Sequence, residues 1–184
     1  GISKNLVSVT PAGPPGRYTV SYDIFVKNYG NYPVSSLQVI DSLQFINGLA
    51  NVVPGSVSSA FIDNPGLLTR NAAYNGTTNA ALLTPGQTLV NTPLTNNHFT
   101  IRVTADITGI PPGIIYYNSA VATGIGFSTM PLRDSSTNGT NPDLNLNEKP
   151  DDNGESVKTP FVITVAGQAS PCLSLATVLH TQNF

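Results

Sequence analysis

Three residues of this chain add up to one chemistry: Lys4, Asp41 and Asn118. Lys4 lies between Ile2 and Leu6, and Asp41 between Val39 and Leu43, so strand alternation puts both on faces expected to be buried. A lone ammonium or carboxylate is costly to remove from water, and burial drives each group toward its neutral form. A neutral lysine amine is a nucleophile, and a protonated aspartate can polarise a carboxamide and relay its proton. The product of such a set is an isopeptide bond between Lys4 and Asn118, with Asp41 as acid and base and ammonia released. It would be a self-modification without turnover, which does not make the chain an enzyme. Two plainer arrangements fit the same residues. In one, Lys4 and Asp41 form an ordinary ion pair while Asn118 bonds to backbone. In the other, Lys4 snorkels to solvent at a sheet edge. Asn118 is the least constrained of the three, because its segment is apolar on both faces and leaves the direction of its side chain open.

A second cluster of chemistry lies between positions 134 and 152. Asp143 and Asn145 alternate with leucines, and Asp151 follows, which is how calcium loops bring carboxylate and amide oxygens to a hard cation. Asp134, Asp143, Asn145 and Asp151 are the expected calcium ligands. The pattern departs from the helix-flanked calcium loop, with Glu148 where glycine is expected and Gly154 at the twelfth position. A solvated turn is the alternative reading of so many Asp, Asn and Gly residues.

The elements that must position these groups are strands. Over 18–28, Tyr18, Val20, Tyr22, Ile24 and Val26 alternate with Thr19, Ser21, Asp23 and Lys27, and only Phe25 breaks the pattern. This predicts a half-buried central antiparallel strand, paired to the strands before and after it. Positions 2–9 and 33–43 read as those neighbours. A second clean alternation runs over 99–107, and 114–123 reads as one interior strand. Shorter strands are expected at 52–53, 57–62 and 80–83, and a closing strand at 161–165. The turns between them carry Pro and Gly, as in Pro54-Gly55, Pro85-Gly86 and Pro111-Pro112-Gly113. Residues 133–159 read as a polar connection. Seven to nine short strands predict an all-β antiparallel sandwich, immunoglobulin-like or prealbumin-like.

Composition agrees and narrows the function. Only 10% of the 184 residues are charged, against roughly 25% in an average domain, which disfavours amphipathic helices. A formal net charge of −2 offers no electrostatic footprint for nucleic acid or for an anionic membrane. No apolar run approaches the roughly 20 residues that span a bilayer. The single Cys172 rules out a disulfide framework and a thiolate metal cage within the chain. His98 and His180 have no acidic or cysteine partner at ligand spacing, and no nucleophile-elbow, phosphate-loop or zinc-protease motif occurs.

Read in order, the chain resembles a conserved repeat domain of unknown function found in tandem in large bacterial surface and secreted proteins. The resemblance rests on Ile2-Ser3-Lys4-Asn5, then Tyr18 to Tyr22 leading to Asn28-Tyr29-Gly30-Asn31. It continues with Val39-Ile40-Asp41-Ser42-Leu43 and with Tyr117-Asn118-Ser119-Ala120. It closes on the segment from Asp134 through Gly139-Thr140-Asn141-Pro142-Asp143 to Thr159-Pro160-Phe161. The resemblance implies a stalk or adhesin module at the bacterial cell surface, with neighbouring repeats as partners and no known enzymatic substrate. It also implies a precedent for the cross-link. Surface adhesins of the prealbumin-like type join a first-strand lysine to a late-strand asparagine through a mid-domain acid, and this chain has that order.

The expectation is therefore one module over 1–165, followed at 166–184 by a linker, the start of a further module or an appended tail. Its function is that of a spacer or adhesion unit, extracellular, without nucleic acid or membrane insertion. The rival is a module that binds carbohydrate or protein through the irregular 44–98 region, where Phe61 and Tyr74 are the aromatics on offer.

Overall fold

The computed structural model describes residues 1–43, 51–150 and 152–164. The expected strands at 52–53, 57–62 and 161–165 appear as β4 (Asn51–Val52), β5 (Ser58–Asp63) and β12 (Thr159–Val162). The 166–184 segment and the expected ligand Asp151 lie outside the described residues.

The alternation over 18–28 becomes β2 (Arg17–Lys27), with Val20, Tyr22, Ile24 and Val26 buried. That over 99–107 becomes β7 (His98–Thr108), where Phe99, Ile101, Val103, Ala105 and Ile107 are buried. The two strands pair antiparallel with Tyr22 opposite Val103 and Ile24 opposite Ile101, so their apolar rows fuse into one wall. Each such side chain taken out of water contributes about 1.5–3 kcal/mol. β1 (Ile2–Pro11) pairs antiparallel with the other edge of β2, placing Lys4 opposite Ile24. The register of β1 therefore puts the lysine in the apolar row.

The sheet runs β11-β1-β2-β7-β4, with β5 also pairing with β7; β11 is Thr137–Asn138. A second sheet runs β10-β9-β3-β6, made from Pro131–Ser135, Val121–Ile125, Val34–Ile40 and Gln87–Leu89. A short ladder joins β8 (Ile115–Asn118) to β12. Leu37 and Val39 of β3, with Leu82, Leu83 and Leu89, complete the buried cluster between the layers. The architecture is an all-β sandwich whose sheets are antiparallel except where β11 runs parallel to β1.

Four expectations change. β3 does not pair with β2: it leaves for the second sheet, where it lies between β9 and β6. Asn28 fixes that departure, because its amide donates to the Tyr32 and Leu89 carbonyls while its backbone N–H reaches Asn97 O. Positions 114–123 form two strands instead of one. At Ser119–Ala120 the chain changes sheets, and Ala120 exchanges hydrogen bonds with Ser136 through its N–H and its carbonyl. The polar 133–159 connection contains part of β10 and all of β11, which have no apolar periodicity to announce them. The expected strand at 80–83 is reduced to isolated bridges, Ala81 to Ile40 and Leu83 to Arg70.

Candidate functional site

Lys4 is wholly buried, as is Asp41, and Asn118 is 2% exposed. Neither snorkelling nor an edge position describes this lysine. Its backbone carbonyl accepts from the Thr159 hydroxyl at 2.7 Å and from Gly139 N–H at 3.0 Å, so β12 and the chain after β11 close over β1 at this point.

The Lys4 amine donates to Asp41 Oδ1 at 2.5 Å and also to Asn118 Oδ1. The ring of Tyr22 lies beneath it, 4.5 Å from Nζ to the centroid, where a cation or amine meets the negative π-face. Burial lowers the Lys4 pKa, and the charge and hydrogen bond of Asp41 partly oppose that shift. Desolvation therefore favours the amine form from which nucleophilic attack proceeds.

Asp41 follows directly on β3 and points inward between Val39 and Leu43, both fully buried. Its backbone N–H donates to Ala80 O at 2.9 Å, and Leu43 N–H donates to Gly76 O at 2.8 Å. The 71–80 segment thus fastens the backbone on either side of the acid. Tyr74, from the same segment, places its hydroxyl 3.1 Å from Asp41 O and 3.3 Å from Asp41 Oδ2. Burial first, and then the negative charge of Asp41, raise the Tyr74 pKa, which keeps the phenol protonated.

Asn118 ends β8 opposite Thr159 of β12. In β8, Tyr116 and Asn118 are buried while Ile115 and Tyr117 are exposed, so strand alternation turns the amide inward. The Tyr116 ring stacks on Phe161 at 5.2 Å, which fixes the inward face. Asn118 Nδ2 donates to Ser42 O at 2.8 Å, leaving Oδ1 toward the lysine. The amide is held from its nitrogen side, and the carbonyl is presented to the amine.

All three residues singled out for cross-linking are thus brought together. Tyr74 is not one of the surface aromatics of a binding region; it is buried at 6% exposure and belongs to this cluster instead. Phe61 is partly buried, edge-on to Phe99 at 5.8 Å. His98, which has no acidic partner at ligand spacing in the sequence, lies 3.2 Å from Asp63 through Nε2.

The expected calcium ligands have other local partners. Asp134 sits on β10, where Oδ2 accepts the Ile2 N–H at 3.0 Å. Asp143 accepts the N–H groups of Asn147 and Glu148, and Asn145 Oδ1 accepts that of Asn147. Glu155, which no sequence pattern singles out, is buried and takes the Leu144 and Asn145 N–H groups on Oε1. Among the described residues, no three His, Cys, Asp or Glu side chains group as metal ligands. No described helix is long and apolar enough to cross a membrane.

No protein-family profile matches the chain, and no curated protein matches it. Among solved structures it is similar to BcpA, the major pilin subunit of Bacillus cereus, at 13% identity and a TM-score of 0.41, covering 74% of this chain and 38% of that one. It is also similar to a GH20 exo-β-N-acetylglucosaminidase from Vibrio harveyi, at 13% identity and a TM-score of 0.36, covering 75% and 17%. A third is the collagen-binding domain of the Erysipelothrix rhusiopathiae surface protein RspB, at 14% identity and a TM-score of 0.33, covering 88% and 45%. The chain spans less than half the length of each. At these TM-scores the architecture rests on the strand pairing described above.

Proposed function

We propose that this chain is a structural β-sandwich module of a bacterial surface protein, closed by an intramolecular isopeptide bond between Lys4 and Asn118. The observation that carries the reading is the buried Lys4 amine held against the Asp41 carboxyl and the Asn118 amide together. An ion pair alone would need Asp41; it would not need an asparagine carbonyl turned to the amine by a bond from its own nitrogen to Ser42 O.

The reaction balances within these side chains. One proton moves along the Lys4–Asp41 hydrogen bond, converting ammonium and carboxylate into amine and acid. The Nζ lone pair adds to Asn118 Cγ as Asp41 protonates the amide oxygen. Collapse of the tetrahedral centre returns that proton to Asp41, while an Nζ proton is relayed to Nδ2. One C–N bond forms, one breaks, and ammonia leaves. Burial supplies both the neutral amine and a water-poor site, and the fixed geometry supplies proximity.

The mechanical consequence follows from chain order. A Lys4–Asn118 bond routes tension from the first strand directly to β8, so residues 5–117 are bypassed when the ends are pulled. Spacing or adhesion at a cell surface is the role such a clamp serves, with neighbouring repeats as its first partners. The 44–98 binding alternative loses Tyr74 as a surface group.

Tryptic mapping tests the proposal. Lys4 acylation blocks cleavage there, so a branched species joining peptide 1–17 to peptide 103–133 is expected. Recovery of the two as separate peptides, with Lys4 cleaved, would overturn it.

A further inference from the structure

We propose that Tyr74 is a positioning residue for the cross-linking acid, serving Asp41 in both of its protonation states; this rests on the reaction proposed above. The two oxygens of the Asp41 carboxyl face different partners. Oδ1 meets the Lys4 amine at 2.5 Å, and Oδ2 meets the Tyr74 hydroxyl at 3.3 Å. The same hydroxyl lies 3.1 Å from the Asp41 backbone carbonyl.

A phenol carries one proton to donate and lone pairs to accept. When Asp41 is ionised, Tyr74 donates to Oδ2. When Asp41 takes the lysine proton on Oδ1, Oδ2 becomes a neutral carbonyl oxygen and the phenol shares its proton between Oδ2 and Asp41 O. Both contacts this exchange requires are present, and neither needs water in a site where Asp41 is fully buried. An unmatched polar group there would carry the full cost of its lost hydration. The exchange also holds the carboxyl plane, so that Oδ1 stays toward the amine and amide.

The segment around Tyr74 is built to keep it there. Tyr74 N–H closes a turn on Asn71 O at 3.2 Å, and Asn71 in turn binds Ala81 O through its side-chain amide at 2.8 Å. The same segment supplies Ala80 O and Gly76 O to Asp41 and Leu43. Phenol and acid are therefore fixed to one another through backbone as well as through the side chains.

The test is a time course of ammonia loss by intact mass, started by refolding full-length chain isolated in denaturant and run across pH. Tyr74→Phe keeps the ring and removes the hydroxyl. Expected is formation about tenfold slower, less than the roughly 10²–10⁴-fold that a group transferring the proton itself commands. The pH–rate profile is expected to change as well, because the carboxyl loses a hydrogen-bond donor that packing alone does not supply. Tyr116→Phe is the control, since it deletes a buried hydroxyl that has no hydrogen-bond partner; its rate is expected to match the parent chain. A Tyr74→Phe rate and profile equal to the parent's would overturn the role of Tyr74 and leave the cross-link standing. A slower rate with an unmoved profile would reduce Tyr74 to packing, and would also overturn it. If Tyr74→Phe does not refold, Tyr74→His, which restores a donor and an acceptor, must recover cross-linking where Tyr74→Leu does not; equal failure of both overturns the role. Absence of ammonia loss from the parent chain itself would remove the reaction and this role together.

Discussion

Lys4 and Asn118 are 114 positions apart in sequence, yet the amine of one donates to the amide oxygen of the other inside a closed core. Two independent registers produce that meeting. Pairing of β1 with β2 sets Lys4 opposite Ile24, and pairing of β8 with β12 sets Asn118 opposite Thr159. Thr159 then bonds back to the Lys4 carbonyl, tying the two registers to each other.

Removing single partners separates ion pair from cross-link. Asn118→Ala and Lys4→Ala both abolish the bond, but only Lys4→Ala leaves Asp41 buried without its cation. Loss of one member of a buried pair costs roughly 3–5 kcal/mol. Lys4→Ala is therefore expected to unfold at lower denaturant than Asn118→Ala, in equilibrium titrations of the two variants. Equal midpoints would mean that the Lys4–Asp41 contact contributes nothing beyond the covalent bond.

The lowered Lys4 pKa gives the uncross-linked protein a pH signature. In Asn118→Ala the unfolded lysine, titrating at its ordinary value of 10.5, binds a proton that the folded one has already released over the window below that value. Stability therefore rises with pH through that window and levels off above the unfolded pKa. Melting of Asn118→Ala across alkaline pH checks this, and the additional change Lys4→Met is expected to flatten the slope.

A second pH effect lies at the far end of the sheet. Asp106 accepts the Thr19 hydroxyl at 2.6 Å and pairs with Arg17, and these bonds hold its carboxyl below the usual aspartate value of 3.8. Its contribution is fully present above the unfolded pKa and is lost as pH falls through the lower folded one. Thr19→Val is expected to lower stability near neutral pH and to shift the acid unfolding midpoint upward, with its cost shrinking as pH falls through the folded value. An unchanged acid midpoint would assign the effect to Arg17 alone.

Gly76 ties backbone conformation to the site. It holds a φ of +69°, and a Cβ there would come within 2.4 Å of Leu43 Cδ1. Leu43 sits two positions from Asp41, and its N–H is bonded to Gly76 O. Gly76→Ala is expected to cost about 1–3 kcal/mol and to slow cross-linking, as read by refolding and mass. Cross-linking at the parent rate would show that Asp41 tolerates the displacement of Leu43.

Legibility in the sequence depends on periodicity. Lys4 and Asp41 stand out because each interrupts an apolar alternation, and their burial follows from the neighbours on either side. The 18–28 and 99–107 runs announce β2 and β7 for the same reason. Asn118 is legible as a residue but not as a direction. Ile115 and Tyr117 are as apolar as Tyr116, and only stacking on Phe161 tells the faces apart. Tyr74 escapes sequence reading because its segment has no period at all; loop hydrogen bonds place it. β10 and β11 lie in a polar run where backbone pairing, not side-chain burial, makes the strand. The crossing of β3 to the second sheet depends on Asn28 contacts with Leu89 and Asn97, distant positions that no local pattern predicts.

The most direct measurement is the intact mass of the purified full-length chain against the mass its sequence requires. A deficit of one ammonia is predicted, present in the parent protein and absent from Lys4→Ala and Asn118→Ala. A parent mass equal to the calculated value would contradict the covalent clamp and leave Lys4, Asp41 and Asn118 as a buried hydrogen-bonded ion pair.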